Sequence, residues 1–408
     1  MTTRWWSAAL ATVLVAGGCG GDGGDSGASA DEPTIAVGAA LSLSGKLARE
    51  GVLTQEGYQY CEEVVNTKGG VKVGEEAHQL RISYQDDQSI PDTAAQLVDG
   101  FNDRELKLLL GPYGSASTEA AAAVVERNGQ VMVEGAGADN KIFAQGYRNL
   151  FAVLSPATTY LTSIVRAVVE LAQPKPATVA IVFADDGFSR TGAEAGRDEA
   201  ERQGMQVVAF EAVPNGTSDV SAALVKIKPK APDLILMAAH LVEGVALIRQ
   251  ARELGVNPGG GFGETVAPPT PDFVSTLGAA AEGVLGSSQW TVETEGAEAR
   301  FGTAADYAAG LKTRFGHEPE YHNAEATAAC LALVLAIEEA DSTDPAEVRD
   351  ALAGLDVETF FGRITFDDEG KNADKPMSVI QIQDGKAVTV WPRAEGTAPL
   401  RWPAGVPS

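Results

Sequence analysis

The residue types that carry out covalent chemistry are present in this 408-residue chain, but they are not grouped for it. No G-x-S-x-G elbow presents a serine, no H-E-x-x-H sets two histidines on one helix face, and no C-x-x-C pair offers zinc ligands. Ser44-Gly45-Lys46-Leu47 has the Gly-Lys of a phosphate loop, yet it lacks the leading glycine and places Leu47 where a hydroxyl would reach Mg²⁺. Gly135-Ala136-Gly137 lacks the third glycine of a dinucleotide fingerprint. The histidines, His78, His240, His317 and His322, have no ligand spacing, and His317 and His322, flanking Pro319, are expected to be solvated. No catalytic residue, metal or cofactor is expected. What remains to be explained is reversible binding.

The elements that would frame a binding site are periodic and short. Strands are expected at 34–40, 79–84, 107–110 and 130–133, with helices at 47–66, 92–103 and 115–127 between them. A second series follows Pro156. Leu161, Ile164, Val165, Val168 and Val169 form the stripe of a one-sided helix. Strands are then expected at 178–183, 206–212 and 233–237, with helices ending at 203 and spanning 218–228 and 242–254. Repeated strand–helix alternation predicts an α/β fold of two doubly wound parallel-sheet lobes. The run 324–337 is apolar on nearly all sides and reads as a buried helix. Short strands are expected at 362–366 and 378–391, turning at Asp384-Gly385, and the Pro- and Gly-rich tail 392–408 is expected on the surface.

The net charge of −25 excludes a nucleic-acid surface and disfavours charge-driven adhesion to anionic lipid. Arg4, the apolar run 5–15 and the small residues Ala16-Gly17-Gly18 precede Cys19. That run is too short to span a bilayer and reads as an export signal. Segment 1–19 resembles a bacterial lipoprotein signal, which implies lipidation of Cys19 and a membrane anchor; a plain signal peptide with an incidental cysteine is the alternative. Residues 20–33, rich in Gly, Asp, Ser and Ala, read as a flexible linker. Cys61 and Cys330 are expected as two small buried residues in separate helices, with a disulfide as the alternative.

Six motifs occur in a fixed order. They are Ala39-Ala40-Leu41-Ser42-Leu43-Ser44-Gly45, Val65-Asn66-Thr67-Lys68-Gly69-Gly70-Val71 and Tyr84-Gln85-Asp86-Asp87-Gln88-Ser89, then Leu110-Gly111-Pro112-Tyr113-Gly114-Ser115, Val182-Phe183-Ala184-Asp185-Asp186-Gly187-Phe188 and Phe361-Gly362-Arg363-Ile364-Thr365-Phe366. Together they resemble the leucine/isoleucine/valine-binding protein family, the type I periplasmic binding proteins of ABC importers. The resemblance implies lobes joined by hinge strands. Lobe 1 would be 34–152 plus 292–360 and lobe 2 would be 155–288, with 361–391 as hinge-proximal C-terminal strands. It implies a small polar ligand, an amino acid or small carboxylate, held by hinge closure, and an ABC permease as partner. The protein is expected to be a monomer on the periplasmic or extracellular side. A ligand-sensing subunit of a membrane receptor is the alternative use of the fold.

Residue by residue, the resemblance assigns Ser115 to the ligand carboxylate, at a helix N-terminus whose free N–H groups favour an anion. It assigns backbone contacts to Gly135 and Gly137, where Gly137 replaces a common Thr. Phe188 would cover the ligand, His240 would touch its side chain, and Glu264 would pair with its ammonium group. Glu50 stands where some relatives place an aromatic.

Overall fold

Two clusters of short apolar runs organise separate sheets. The computed structural model describes residues 33–394 and 397–403. The signal, Cys19 and nearly all of the linker lie outside the described residues. The first sheet has the order Val71–Val73, Glu76–Asp86, Thr34–Leu41, Leu108–Leu110, Val131–Glu134, Leu150–Ala152. All neighbours are parallel except the Val71–Val73 hairpin strand. The strands Leu108–Leu110, Val131–Glu134 and Leu150–Ala152 are wholly buried, as expected for a sheet covered on both faces. Strand order reverses at Thr34–Leu41, which pairs with Glu76–Asp86 on one side and Leu108–Leu110 on the other. A crevice therefore opens beyond the C-terminal ends of Thr34–Leu41 and Leu108–Leu110.

The second sheet runs Lys386–Trp391, Ser378–Gln383, Leu285–Ser288, Phe262–Glu264, Leu234–Ala238, Thr178–Ala184, Gln206–Val213. Its order reverses at Thr178–Ala184, between Gln206–Val213 and Leu234–Ala238. The two C-terminal strands join antiparallel to this sheet, turning at Asp384 and Gly385 in left-handed conformations. They are part of the second lobe's sheet, beyond the hinge position assigned to 361–391. The tail also docks. The Ala398 N–H donates to the Thr389 carbonyl at 2.8 Å, and Trp402 packs where a Cβ on Gly260 would otherwise sit.

Three segments cross between the lobes and are stitched together by polar groups. Gln289 accepts the Ser155 N–H at 3.0 Å and returns its amide to the Ser155 carbonyl at 3.0 Å. The Ser155 hydroxyl donates to the Lys375 carbonyl at 3.0 Å, and the Lys375 ammonium donates to the Gln289 carbonyl at 2.6 Å. Each crossing thus satisfies the buried polar groups of the other two.

The Tyr321–Ala340 helix, buried on all sides, lies against the Ala48–Thr67 helix of the first lobe. Gly57 allows this contact, since a Cβ there would stand 2.4 Å from the Asn323 carbonyl. At the same crossing Cys61 and Cys330 form a disulfide, so the expectation of two separate thiols is corrected. Helix packing brings together residues 269 apart in sequence, a closeness that spacing does not reveal. No helix among the described residues is long and apolar enough to cross a membrane. Closing so long a loop restricts the unfolded chain, and removing such a bond costs about 2–5 kcal/mol. Urea unfolding of the reduced protein, or of a Cys61→Ser, Cys330→Ser double variant, is expected to show that loss; an unchanged midpoint would contradict it.

Candidate ligand-binding cleft

The two strand-order reversals open on one cleft, which encloses about 140 Å³ and is lined from both lobes. On the first lobe, the loop after Leu108–Leu110 turns through Gly114 at φ +90° and delivers the Ser115–Asn128 helix. No side chain caps this helix. Among the described residues, the N–H groups of Ser115, Ala116 and Ser117 have no protein acceptor. The Ser115 oxygen accepts the Asp139 N–H at 3.1 Å, which leaves its own proton for another acceptor. Lys46 adds a positive charge to the same wall. Free N–H groups, the positive helix end and an ammonium together form an anion site.

The wall nearest the hinge is acidic and aromatic. Glu325 lines the cleft at 2% exposure, with Tyr113, Tyr160 and Tyr321 around it. Glu134, fully buried, takes the N–H groups of Ala136 and Gly137 at 2.6 and 2.5 Å. Burial pushes the Glu134 carboxyl up to about 7 against those backbone bonds. Glu325 is raised well above the usual carboxylate range by burial and by Glu134, with Lys375 opposing. Burial in turn lowers Lys375 to about 7.

The second lobe supplies Phe188, His240, Asp186 and Val266. Asp186 caps the Gly187–Arg202 helix by accepting the Ser189 N–H at 2.9 Å. Its Oδ2 lies 3.6 Å from His240 Nε2. Burial alone would lower His240; Asp186, Glu243 and Glu50 outweigh it and hold the imidazole above its ordinary value. Phe188 meets Tyr160 edge-on at 5.0 Å and His240 at 5.5 Å. The lobes touch at the rim. The Thr191 hydroxyl donates to Asp139 at 2.9 Å, and Arg49 of the first lobe bonds both Asp272 of the second and Glu320.

Ser115, Phe188 and His240 therefore stand on the cleft wall, whereas three other expected residues do not. Gly135 is packed behind it, where a Cβ would stand 2.7 Å from the Glu325 carbonyl. A Cβ on Gly137 would strike the Thr118 side chain at 2.6 Å, and its N–H is already given to Glu134. Ala136 and Ala138 reach the cleft in their place. Glu264, at the end of its strand, turns inside the second lobe against Gly244 and Ala267, at 2% exposure and with both oxygens unpartnered. Glu50 is buried beside Arg49. His322 is also corrected: it is fully buried between Tyr113 and Tyr321, while His317 is half-buried against Glu56. Among the described residues no group of His, Cys, Asp or Glu is placed to hold a metal. Sequence reasoning missed Glu325. Its signal was a lone acid inside the apolar run 324–337.

Two α/β lobes, three stitched crossings and a small two-sided cleft at paired switch points define a solute-binding protein of the periplasmic type. The chain belongs to the periplasmic binding protein family, whose model matches residues 34–387. Among curated proteins it is 25% identical over 382 residues to the Leu/Ile/Val-binding protein homolog 8 of Brucella abortus, covering 90% of this chain and 92% of that one. It is 26% identical over 398 residues to homolog 7 of Brucella suis, covering 92% and 95%. Among solved structures, the branched-chain amino acid transporter substrate-binding protein LivJ of Streptococcus pneumoniae, in complex with isoleucine, is 21% identical with a TM-score of 0.75, over 87% of this chain and 97% of that one. A solute-binding protein of R. palustris in complex with benzoate is 16% identical with a TM-score of 0.72, over 89% and 99%. The family is that of exported periplasmic binding proteins and not of enzymes.

Burial pushes the Glu264 carboxyl up to about 8 from an ordinary 4.5. A group with a raised folded value favours the fold fully below its unfolded value and loses that contribution as pH rises toward the folded one. Between pH 4.5 and 8 the wild type should therefore lose stability relative to Glu264→Gln. Thermal midpoints across that range are expected to diverge in favour of the variant as pH rises; parallel curves would contradict the burial.

Proposed function

We propose that this protein captures an amino acid outside the cytoplasm and delivers it to an ABC permease, held to the membrane by lipid on Cys19 and acting as a monomer. The observation that carries this reading is the uncapped Ser115–Asn128 helix opening on the cleft. A carboxylate placed there accepts the N–H groups of Ser115, Ala116 and Ser117 and the Ser115 hydroxyl, in a site that closure dries. The ligands named in relatives' structures, isoleucine, leucine and benzoate, share that carboxylate and differ in the rest.

Capture follows from two lobes on a hinge. The ligand docks on the Ser115 wall, and the Phe188–His240 wall then rotates over it, shifting an open–closed equilibrium. Asp139–Thr191 and Arg49–Asp272 join the lobes at the rim and would break as the lobes part. Thr191 and Arg49 are half-buried and Asp272 is exposed, so these contacts bias closure without locking it.

A thermal-shift screen of the twenty L-amino acids, benzoate and small organic acids identifies the binder, and calorimetry measures it. Ser115→Ala is expected to weaken that binder about tenfold, the usual scale for a lost hydrogen bond to a charged group. Small-angle scattering is expected to show a smaller radius of gyration on saturation. A binder that ignores Ser115→Ala, or saturation without compaction, would contradict the proposal.

A further inference from the structure

We propose that Glu325, which lines the cleft together with Tyr113, Tyr160 and Tyr321, is the subsite for the ligand's ammonium group, the role the family resemblance gives to Glu264. The inference rests on the amino-acid reading above and adds the residue that distinguishes an amino acid from a plain carboxylic acid.

Four observations carry it. Glu325 lines the cleft and is 2% exposed, yet its Oε2 has no partner among the described residues. A buried, unpaired carboxylate oxygen is costly, and one that borders a cavity is satisfied by what fills the cavity. The other acids on the wall are committed or solvated. Asp186 caps a helix and faces His240, Asp139 accepts from Lys141 and Thr191, and Glu119 is exposed. Lys375, the nearest cation to Glu325 in electrostatic effect, spends its ammonium on the Gln289 carbonyl and lies 4.2 Å from the centre of the Phe361 ring. Finally, Tyr321 and Glu325 are one helical turn apart on the same face, and Tyr113 and Tyr160 also feel the Glu325 charge.

Aromatic faces and a carboxylate in a dry cleft attract an alkylammonium group. The site is therefore polar in a defined sense, with the anion end on the Ser115 helix and the cation end on the Tyr321–Ala340 helix. Glu264 fits the second role less well because its Oε2 lies against Gly244 inside the second lobe and the residue does not line the cleft.

The test uses amino acids paired with the acids that lack only the amine: L-leucine with 4-methylpentanoate, L-phenylalanine with 3-phenylpropanoate, and L-glutamate with glutarate. Calorimetry on the full mature chain is expected to show at least one amino acid bound about thirtyfold or more tighter than its partner, the scale of a buried charge pair. Glu325→Gln should bring that ratio to about threefold or less while leaving the amine-free acid unchanged, which also shows that the variant is folded. Glu264→Gln should leave the ratio intact. A ratio preserved in Glu325→Gln, or lost in Glu264→Gln, would overturn the assignment. If the wild type binds both members of each pair alike, this subsite falls and the carboxylate site stands. If it binds none of the six, both fall.

Discussion

Everything in the site depends on the reversal of strand order in each sheet. Connections from Thr34–Leu41 and Leu108–Leu110 leave toward opposite faces, so nothing fills the gap beyond their C-terminal ends. The same holds for Thr178–Ala184 and Leu234–Ala238 in the second lobe. One gap presents the N-terminus of the Ser115–Asn128 helix; the other presents Phe188 and His240. Because the three crossings hold both sheets at one junction, the two gaps become one cleft.

A chain of net charge −25 can hold an anion because the field that matters is local. Surface carboxylates are screened over about 8 Å at physiological ionic strength. The Ser115 helix end, its three free N–H groups and Lys46 lie within the cleft itself. The buried acids follow the opposite logic. Glu134, Glu264 and Glu325 are all raised by burial, so ionising each of them inside the unliganded protein is disfavoured. Only Glu325 of these three borders the cleft, which is why it alone is available to a ligand.

Much of the fold was legible because it rests on periodicity. The 324–337 run, apolar on nearly all sides, is the centre of the buried Tyr321–Ala340 helix, and Asp384-Gly385 is the turn it was read as. Ser115, Phe188 and His240 follow the ends of strands or open helices there, where the sequence pattern marks a boundary. What was not legible depends on contacts between distant segments. Cys61 meets Cys330 through helix packing, Gly137 gives its N–H to Glu134 within its own loop, and Glu264 rotates off the wall into its own lobe. His322, read as solvated from its neighbours in sequence, is covered by two tyrosine rings.

The most direct measurement is a crystal structure of the protein with the tightest-binding amino acid in the cleft. The expected result places both carboxylate oxygens within hydrogen-bonding distance of the backbone N–H groups of Ser115–Ser117, with the Phe188–His240 wall closed over the ligand. A ligand bound elsewhere, or bound in the cleft with its carboxylate away from that helix, would contradict the central claim.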